Sequence, residues 1–206
     1  MKPAALRTFH ARLMAWYRTH GRHDLPWRQT DDPYHIWLSE VMLQQTQVAT
    51  VRARFYGPFL KKFPTIAALA AAEQAEVMKA WEGLGYYSRA RNLHEAAKQA
   101  AKNGMFRACV AESKLSSGKV SAESAKGHLG AKRKGRASES TVPSIDELLS
   151  LPGIGRNTAN AIAAFAYHQP VAILEANVKR VVARIFALEV PSDAELWAGA
   201  DELLNH

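Results

Sequence analysis

The nine residues Leu151-Pro152-Gly153-Ile154-Gly155-Arg156-Asn157-Thr158-Ala159 constrain this chain more than any other stretch of it. A leucine–proline pair, two glycines one residue apart and a polar helix start specify a tight hairpin between two helices. The glycines permit backbone angles and close approaches that a Cβ would block. The helix that opens at Arg156 or Asn157 directs unpaired N–H groups outward, which suits it to a phosphate. Such a hairpin grips nucleic-acid backbone without reading sequence. An ordinary helix–turn–helix corner is the alternative reading of the same nine residues.

Helical periodicity runs through the rest. Leu6, Phe9, Leu13, Trp16 and Tyr17 predict an amphipathic helix over 4–20, ended by Gly21. Pro26 and Pro33 bracket an irregular segment with Trp27 and Arg28, and Pro33 starts a helix carrying Tyr34, Trp37, Glu40 and Gln44. A helix over 48–63 is expected to bend or break at Gly57-Pro58, and the next runs from Pro64-Thr65 through Leu69 and Val77 to Trp81. Gly83-Leu84-Gly85-Tyr86-Tyr87 is a turn before a helix over 88–102. Ser144-Ile145-Asp146-Glu147 has capping-box spacing ahead of the hairpin, with further helices over 156–167, over 176–188 and from Asp193 onward. No period-two alternation occurs, so the expected fold is all-α.

A chain of 206 residues can bury a substantial core, and 48% hydrophobic residues fit a globular domain. The formal charge of +8 favours a polyanionic partner, although it is unevenly spread. Residues 105–142 hold eight basic and three acidic side chains, leaving the remainder mildly basic. That stretch is rich in Ser, Gly, Ala and Lys, and is read as a flexible basic insertion. Arg7, His10, Arg12 and Arg18 leave no apolar signal core at the start, and no run approaches a membrane span. The single cysteine, Cys109, excludes an internal disulfide and any multi-cysteine metal site.

Two carboxylates stand out. Glu40 lies among Trp37, Val41, Met42 and Leu43, and a carboxyl group partly withdrawn from water holds its proton more tightly, as a general acid requires. A surface glutamate is the plain alternative. Gln44, Gln45 and Gln47 follow it, amides able to contact base edges or fill a gap in a base stack. Glu175 precedes a helix bearing Asn177, Lys179 and Arg180, where simple helix capping is the plain alternative. Two carboxylates flanking one glycosidic bond can cleave it, one protonating the leaving group and the other stabilising a sugar cation.

Trp27-Arg28, the run from Trp37 to Gln47, Gly83 to Asn92, the hairpin at 151–159 and Asn177-Val178-Lys179-Arg180 resemble, in order, the A/G-specific adenine DNA glycosylases (MutY-type) of the helix-hairpin-helix superfamily. The resemblance covers nearly everything except 105–142. It implies a helix-hairpin-helix base-excision fold, with residues 29–104 and 143–174 as core. Residues 1–28 would pack on a second helical domain, of iron–sulfur type, begun by 175–206. It implies Glu40 as the acid that protonates adenine at N7, Glu175 as stabiliser of the sugar cation, and Trp27, Arg28 and Leu43 as the adenine pocket. Gln45 and Tyr86 would wedge into the duplex, and Gly153, Ile154, Gly155 and Arg156 would hold phosphate. Asn177 and Lys179 would support catalysis. Asn157 stands where strand-cutting relatives carry a nucleophilic lysine, so base excision without efficient strand cleavage is expected.

The implied partner is double-stranded DNA with an adenine mispaired with 8-oxoguanine or guanine, handled by a monomer in the bacterial cytoplasm at the nucleoid. The family holds a 4Fe–4S cluster through four cysteines that are absent here, so no bound cluster or other metal is expected and the chain reads as C-terminally truncated. Glu175 and Ala176 replace the aspartate and glycine of familiar members, moving the carboxylate one methylene outward. Two alternatives accompany this reading: a catalytically weak DNA-binding module, and a glycosylase acting on mispaired thymine or another pyrimidine.

Overall fold

The computed structural model describes residues 3–106 and 142–204, and among them every regular element is a helix. Helix α1 (Pro3–His20) leads through a 3-10 turn at Pro26–Arg28 into α2 (Pro33–Leu43). Asp32 caps α2 by accepting from the N–H groups of Tyr34 and His35 at 2.8 and 3.2 Å. Pro33 occupies the first helical position, where a missing N–H costs nothing. Tyr34, Ile36, Trp37, Leu38, Val41 and Met42 are all buried, so α2 is apolar around most of its circumference and runs through the middle of the molecule. It packs against helices on several sides, chiefly α9 (Arg156–Tyr167).

The stretches over 48–63 and 64–81 differ from expectation. The stretch expected to break at Gly57-Pro58 is α3 (Val48–Thr50), a π turn (Val51–Phe55) and α4 (Tyr56–Lys62), continuous through the proline. Pro58 cannot donate back along the helix, and the chain accommodates it with a wider turn just upstream, where the Tyr56 N–H reaches the Val51 carbonyl. The single helix expected up to Trp81 is two, α5 (Ile66–Ala71) and α6 (Gln74–Ala80). Ala72 and Glu73 are extended between them, and the buried His94 ring bonds the freed Ala72 carbonyl at 3.0 Å. Tertiary packing on α7 (Tyr87–Lys102) sets this break.

The capping box at Ser144–Glu147 opens α8 (Ile145–Leu149) as its spacing predicts. After α9 come α10 (Ala176–Ile185), shorter than the expected 176–188, and α11 (Asp193–Leu204). The chain leaves α10 through Ala187 at φ 52°, and Ser192 with Glu195 forms a second capping box ahead of α11. The basic insertion lies outside the described residues except at its edges. There Met105 and Phe106 belong to the core, with the Phe106 ring stacked on Trp37 at 5.5 Å.

Buried apolar side chains form a main core spanning α2 to α9, centred on Trp37, Phe59, Trp81 and Ile162. A smaller cluster joins Ala172, Leu174, Val182, Leu196 and Ala200 around α10 and α11. His10 hydrogen-bonds the Leu203 carbonyl and so ties α1 to α11. Among the described residues no helix is long and apolar enough to cross a membrane.

Candidate active site

Glu40 sits in the last turn of α2, between buried Ser39 and buried Val41. Loss of hydration disfavours its ionised form and is the main reason its pKa rises from 4.5 to about 7. The Glu175 carboxylate pushes in the same direction, and Arg28 pulls the other way. A charge effect of this kind requires proximity, so the two acids lie near one another although far apart in sequence. Glu40 is only half-buried, but the loss of hydration that lifts its pKa sets it apart from a plain surface glutamate.

Glu175 arrives there on a short extended segment held from α9. Asn157 donates through Nδ2 to the Leu174 carbonyl at 3.0 Å and accepts the Leu174 N–H on Oδ1 at 2.8 Å. One turn further along the same helix face, Asn160 donates to the Ala172 carbonyl at 2.6 Å. Leu174 is itself fully buried, so the residue just before Glu175 is fixed by packing and by a two-point clamp. Glu175 then occupies the cap position of α10 without making a side-chain capping bond, which leaves its carboxylate exposed and unspent. Simple capping does not account for it.

The hairpin closes beside this pair. Gly153 adopts φ +78°, and a Cβ built there would lie 2.8 Å from the Asn92 Cβ. The Ile154 side chain is buried and its N–H bonds the Leu151 carbonyl at 3.2 Å, inside the turn. Gly155 caps α9, whose first turn (Arg156, Asn157, Thr158) presents N–H groups lacking intrahelical acceptors. The Arg156 guanidinium lies 3.6 Å from the Trp197 ring centroid, so the positive charge beside the hairpin is braced by α11.

The other expected site residues separate into groups. Trp27 is buried against Tyr56, with ring centroids 5.1 Å apart. Arg28 stacks on Phe165 at 4.2 Å, and Leu43 is half-buried against the main core. Trp27 and Arg28 also border a cleft of about 340 Å3 with Tyr17, His23, Phe165 and His168, which neither Glu40 nor Glu175 lines. Gln45 and Tyr86 are exposed, each with left-handed backbone, φ 57° and 48°. Gln44 follows the last residue of α2 and does not extend the Glu40 face as expected. Asn177 accepts from Arg180, and Lys179 pairs with Asp193 at 2.6 Å. Asn160, Trp197 and the buried Arg89 were not singled out by sequence reasoning. Of these, only the i, i+3 spacing of Asn157 and Asn160 was a signal available to it.

An iron–sulfur cluster does not fit these residues. The sequence has one cysteine, and among the described residues no group of three His, Cys, Asp or Glu side chains could hold a metal ion.

Residues 38–205 match the family model described as HhH-GPD superfamily base excision DNA repair protein. The chain is 34% identical over 184 residues to the adenine DNA glycosylase of Buchnera aphidicola subsp. Baizongia pistaciae, covering 88% of this chain and 42% of that protein. It is 35% identical over 215 residues to the adenine DNA glycosylase of Homo sapiens, covering 98% of this chain and 33% of that protein. With that of Mycolicibacterium smegmatis it shares 37% over 174 residues, 84% of this chain and 47% of that protein. The chain thus spans between a third and a half of these relatives' length. Among solved structures, a thermostable thymine-DNA glycosylase superposes with a TM-score of 0.72 at 24% identity, covering 96% of this chain and 77% of that one. A non-covalent endonuclease III–DNA complex gives 0.66 at 18% identity, with the same coverage. These two likenesses concern the fold alone.

Proposed function

From the chain's membership of the HhH-GPD superfamily of base excision DNA repair proteins, we infer that it excises adenine mispaired with 8-oxoguanine or guanine in double-stranded DNA, hydrolysing the N-glycosidic bond. The observation that carries this reading is the acid pair: a half-buried glutamate whose pKa is raised to about 7, with a second carboxylate near enough to push it up. At neutral pH a large fraction of Glu40 is protonated and can give its proton to N7 of an everted adenine. The purine then leaves as a neutral base. Glu175, facing the sugar, stabilises the oxocarbenium-like centre until water adds at C1′. Residues 29–104 and 143–174 form the catalytic core in this scheme, and 175–206 open a second helical domain on which 1–28 packs.

Eversion needs the duplex held on both sides of the mispair. The first turn of α9 and the glycines of the hairpin approach the phosphates closely, and Arg156 adds a charge already oriented by Trp197. Gln45 and Tyr86 enter the base stack, while Trp27, Arg28 and Leu43 receive the adenine. Asn177 and Lys179 flank the sugar. Asn157 offers no amine, so the sugar is not captured as a Schiff base and the strand stays intact after base loss. The protein works as a monomer at the nucleoid.

The test is single-turnover base release from a panel of duplexes containing A:8-oxoguanine, A:G, T:G and matched pairs, with wild type and Glu40→Gln. Adenine release opposite 8-oxoguanine, lost in Glu40→Gln with duplex binding retained, is the expected result. Preferential thymine release would overturn the adenine assignment, and binding without any product would leave a DNA clamp.

A further inference from the structure

Arg89 is buried to 9% exposure, and the hydrogen bonds of its guanidinium tips go to the last turn of α2, to the turn that follows it and to the turn before α7. Nη1 donates to the carbonyls of Val41 and Met42 at 3.0 and 3.1 Å and to that of Gln44. Nη2 donates to Thr46 Oγ1 and to the carbonyls of Leu84 and Gly85, each at 3.3 Å. The guanidinium carbon lies 5.2 Å from the Tyr86 ring centroid and 5.7 Å from that of Trp81. Trp81 Nε1 in turn donates to the Gly85 carbonyl at 3.1 Å.

Three consequences follow. The carbonyls of Val41 and Met42 belong to the last turn of α2, the turn that bears Glu40, where a cation meets the negative end of the helix. The Gln44 and Thr46 contacts straddle Gln45, and the Leu84 and Gly85 contacts end immediately before Tyr86. Those two residues are exposed and sit in left-handed backbone, a conformation that costs free energy unless its surroundings enforce it. A planar fork enforces it here from beneath, and a lysine ammonium cannot span both turns in the same way.

We propose that Arg89 is the positioning residue that locks the turns bearing Gln45 and Tyr86 to each other and to the helix of Glu40, so that base-stack entry and acid placement act as one rigid unit. The proposal rests on the reading that Gln45 and Tyr86 enter the duplex. It makes Arg89 a residue that touches no substrate but sets mispair recognition.

The experiment uses the full chain and a duplex with 2-aminopurine next to the mispaired adenine, whose fluorescence rises when the neighbouring stack opens. Wild type is expected to give a rise that Tyr86→Ala abolishes. Arg89→Lys, folded by circular dichroism, is expected to weaken that transition on the order of tenfold, the scale of losing charge-assisted hydrogen bonds. Overall duplex affinity, carried by the hairpin, should stay within a few-fold. A wild-type rise that Tyr86→Ala removes and Arg89→Lys preserves overturns the proposal. A wild type with no rise, or one insensitive to Tyr86→Ala, instead overturns the wedge reading beneath it. Should Arg89→Lys not fold, Thr46→Val removes one acceptor of the fork. A diminished rise then supports the proposal, and an unchanged one refutes it.

Discussion

Replacing Glu40 by glutamine should make the folded protein more stable, and by an amount that depends on pH. Glu40 titrates near 4.5 when exposed and near 7 in the fold, because burial and the Glu175 charge oppose its ionisation. A carboxyl whose pKa is raised on folding binds its proton more tightly in the native state, so stability declines as pH climbs from about 4.5 to 7. At about 1.4 kcal/mol per pH unit, the full penalty above pH 7 is about 3 kcal/mol. Glutamine keeps the shape and cannot ionise. The stability difference between Glu40→Gln and wild type should therefore grow by about 2 to 3 kcal/mol between pH 5 and pH 8. For a chain of this size that is roughly 5–10 °C in the thermal midpoint. Urea denaturation of both proteins at the two pH values measures it, and the comparison cancels any pH-independent effect of the amide. A difference that stays constant with pH, or a variant less stable at pH 8, would refute the claim that this carboxyl is withdrawn from water beside another acid. Strain of this kind is expected where function and stability compete.

Asn157→Ala should leave duplex binding intact and slow base release by about 10²-fold, the scale of a 1 Å misplacement of a reacting group, because it frees the main chain just before Glu175. Single-turnover rates with parallel binding curves check this, and an unchanged rate would remove Asn157 from the catalytic account. Gly153→Ala imposes a side chain at φ +78° against Asn92 and should cost on the order of 1–3 kcal/mol of stability, read by denaturant midpoint, together with weaker duplex binding. Ser192→Ala breaks the capping box of α11 and should cost about 1 kcal/mol by the same assay.

Local chemistry was legible in the sequence, and long-range convergence was not. The hairpin could be read because glycine, proline and a polar helix start each restrict the backbone within a few residues. The capping box at Ser144–Glu147 was read from its spacing, and the same spacing at Ser192–Glu195 was open to the same reading. The break at Ala72–Glu73 carries no proline or glycine. It exists because His94, distant in sequence, takes up the Ala72 carbonyl. The π turn at 51–55 was displaced from the expected kink because a helix can relieve a proline one turn earlier. Glu40 and Glu175 were candidates by residue type, yet their mutual proximity depends on Asn157 and Asn160 holding 172–174 against α9. Arg89 was invisible for the same reason: four of its acceptor groups lie on residues 41–46, more than 40 positions away. A buried guanidinium is recognised only when its partners are seen.

The central claim is that Glu40 retains a proton near neutrality because it is partly withdrawn from water near the Glu175 charge. Carbon-13 NMR titration of the side-chain carboxyl carbons tests it most directly, with the Glu40 signal identified by its loss in Glu40→Gln. The account predicts a midpoint near 7 in the wild type. In Glu175→Gln the midpoint should move down but stay above 4.5, since burial persists when the opposing charge is removed. A wild-type midpoint at the ordinary 4.5, or one that Glu175→Gln leaves in place, would contradict the account.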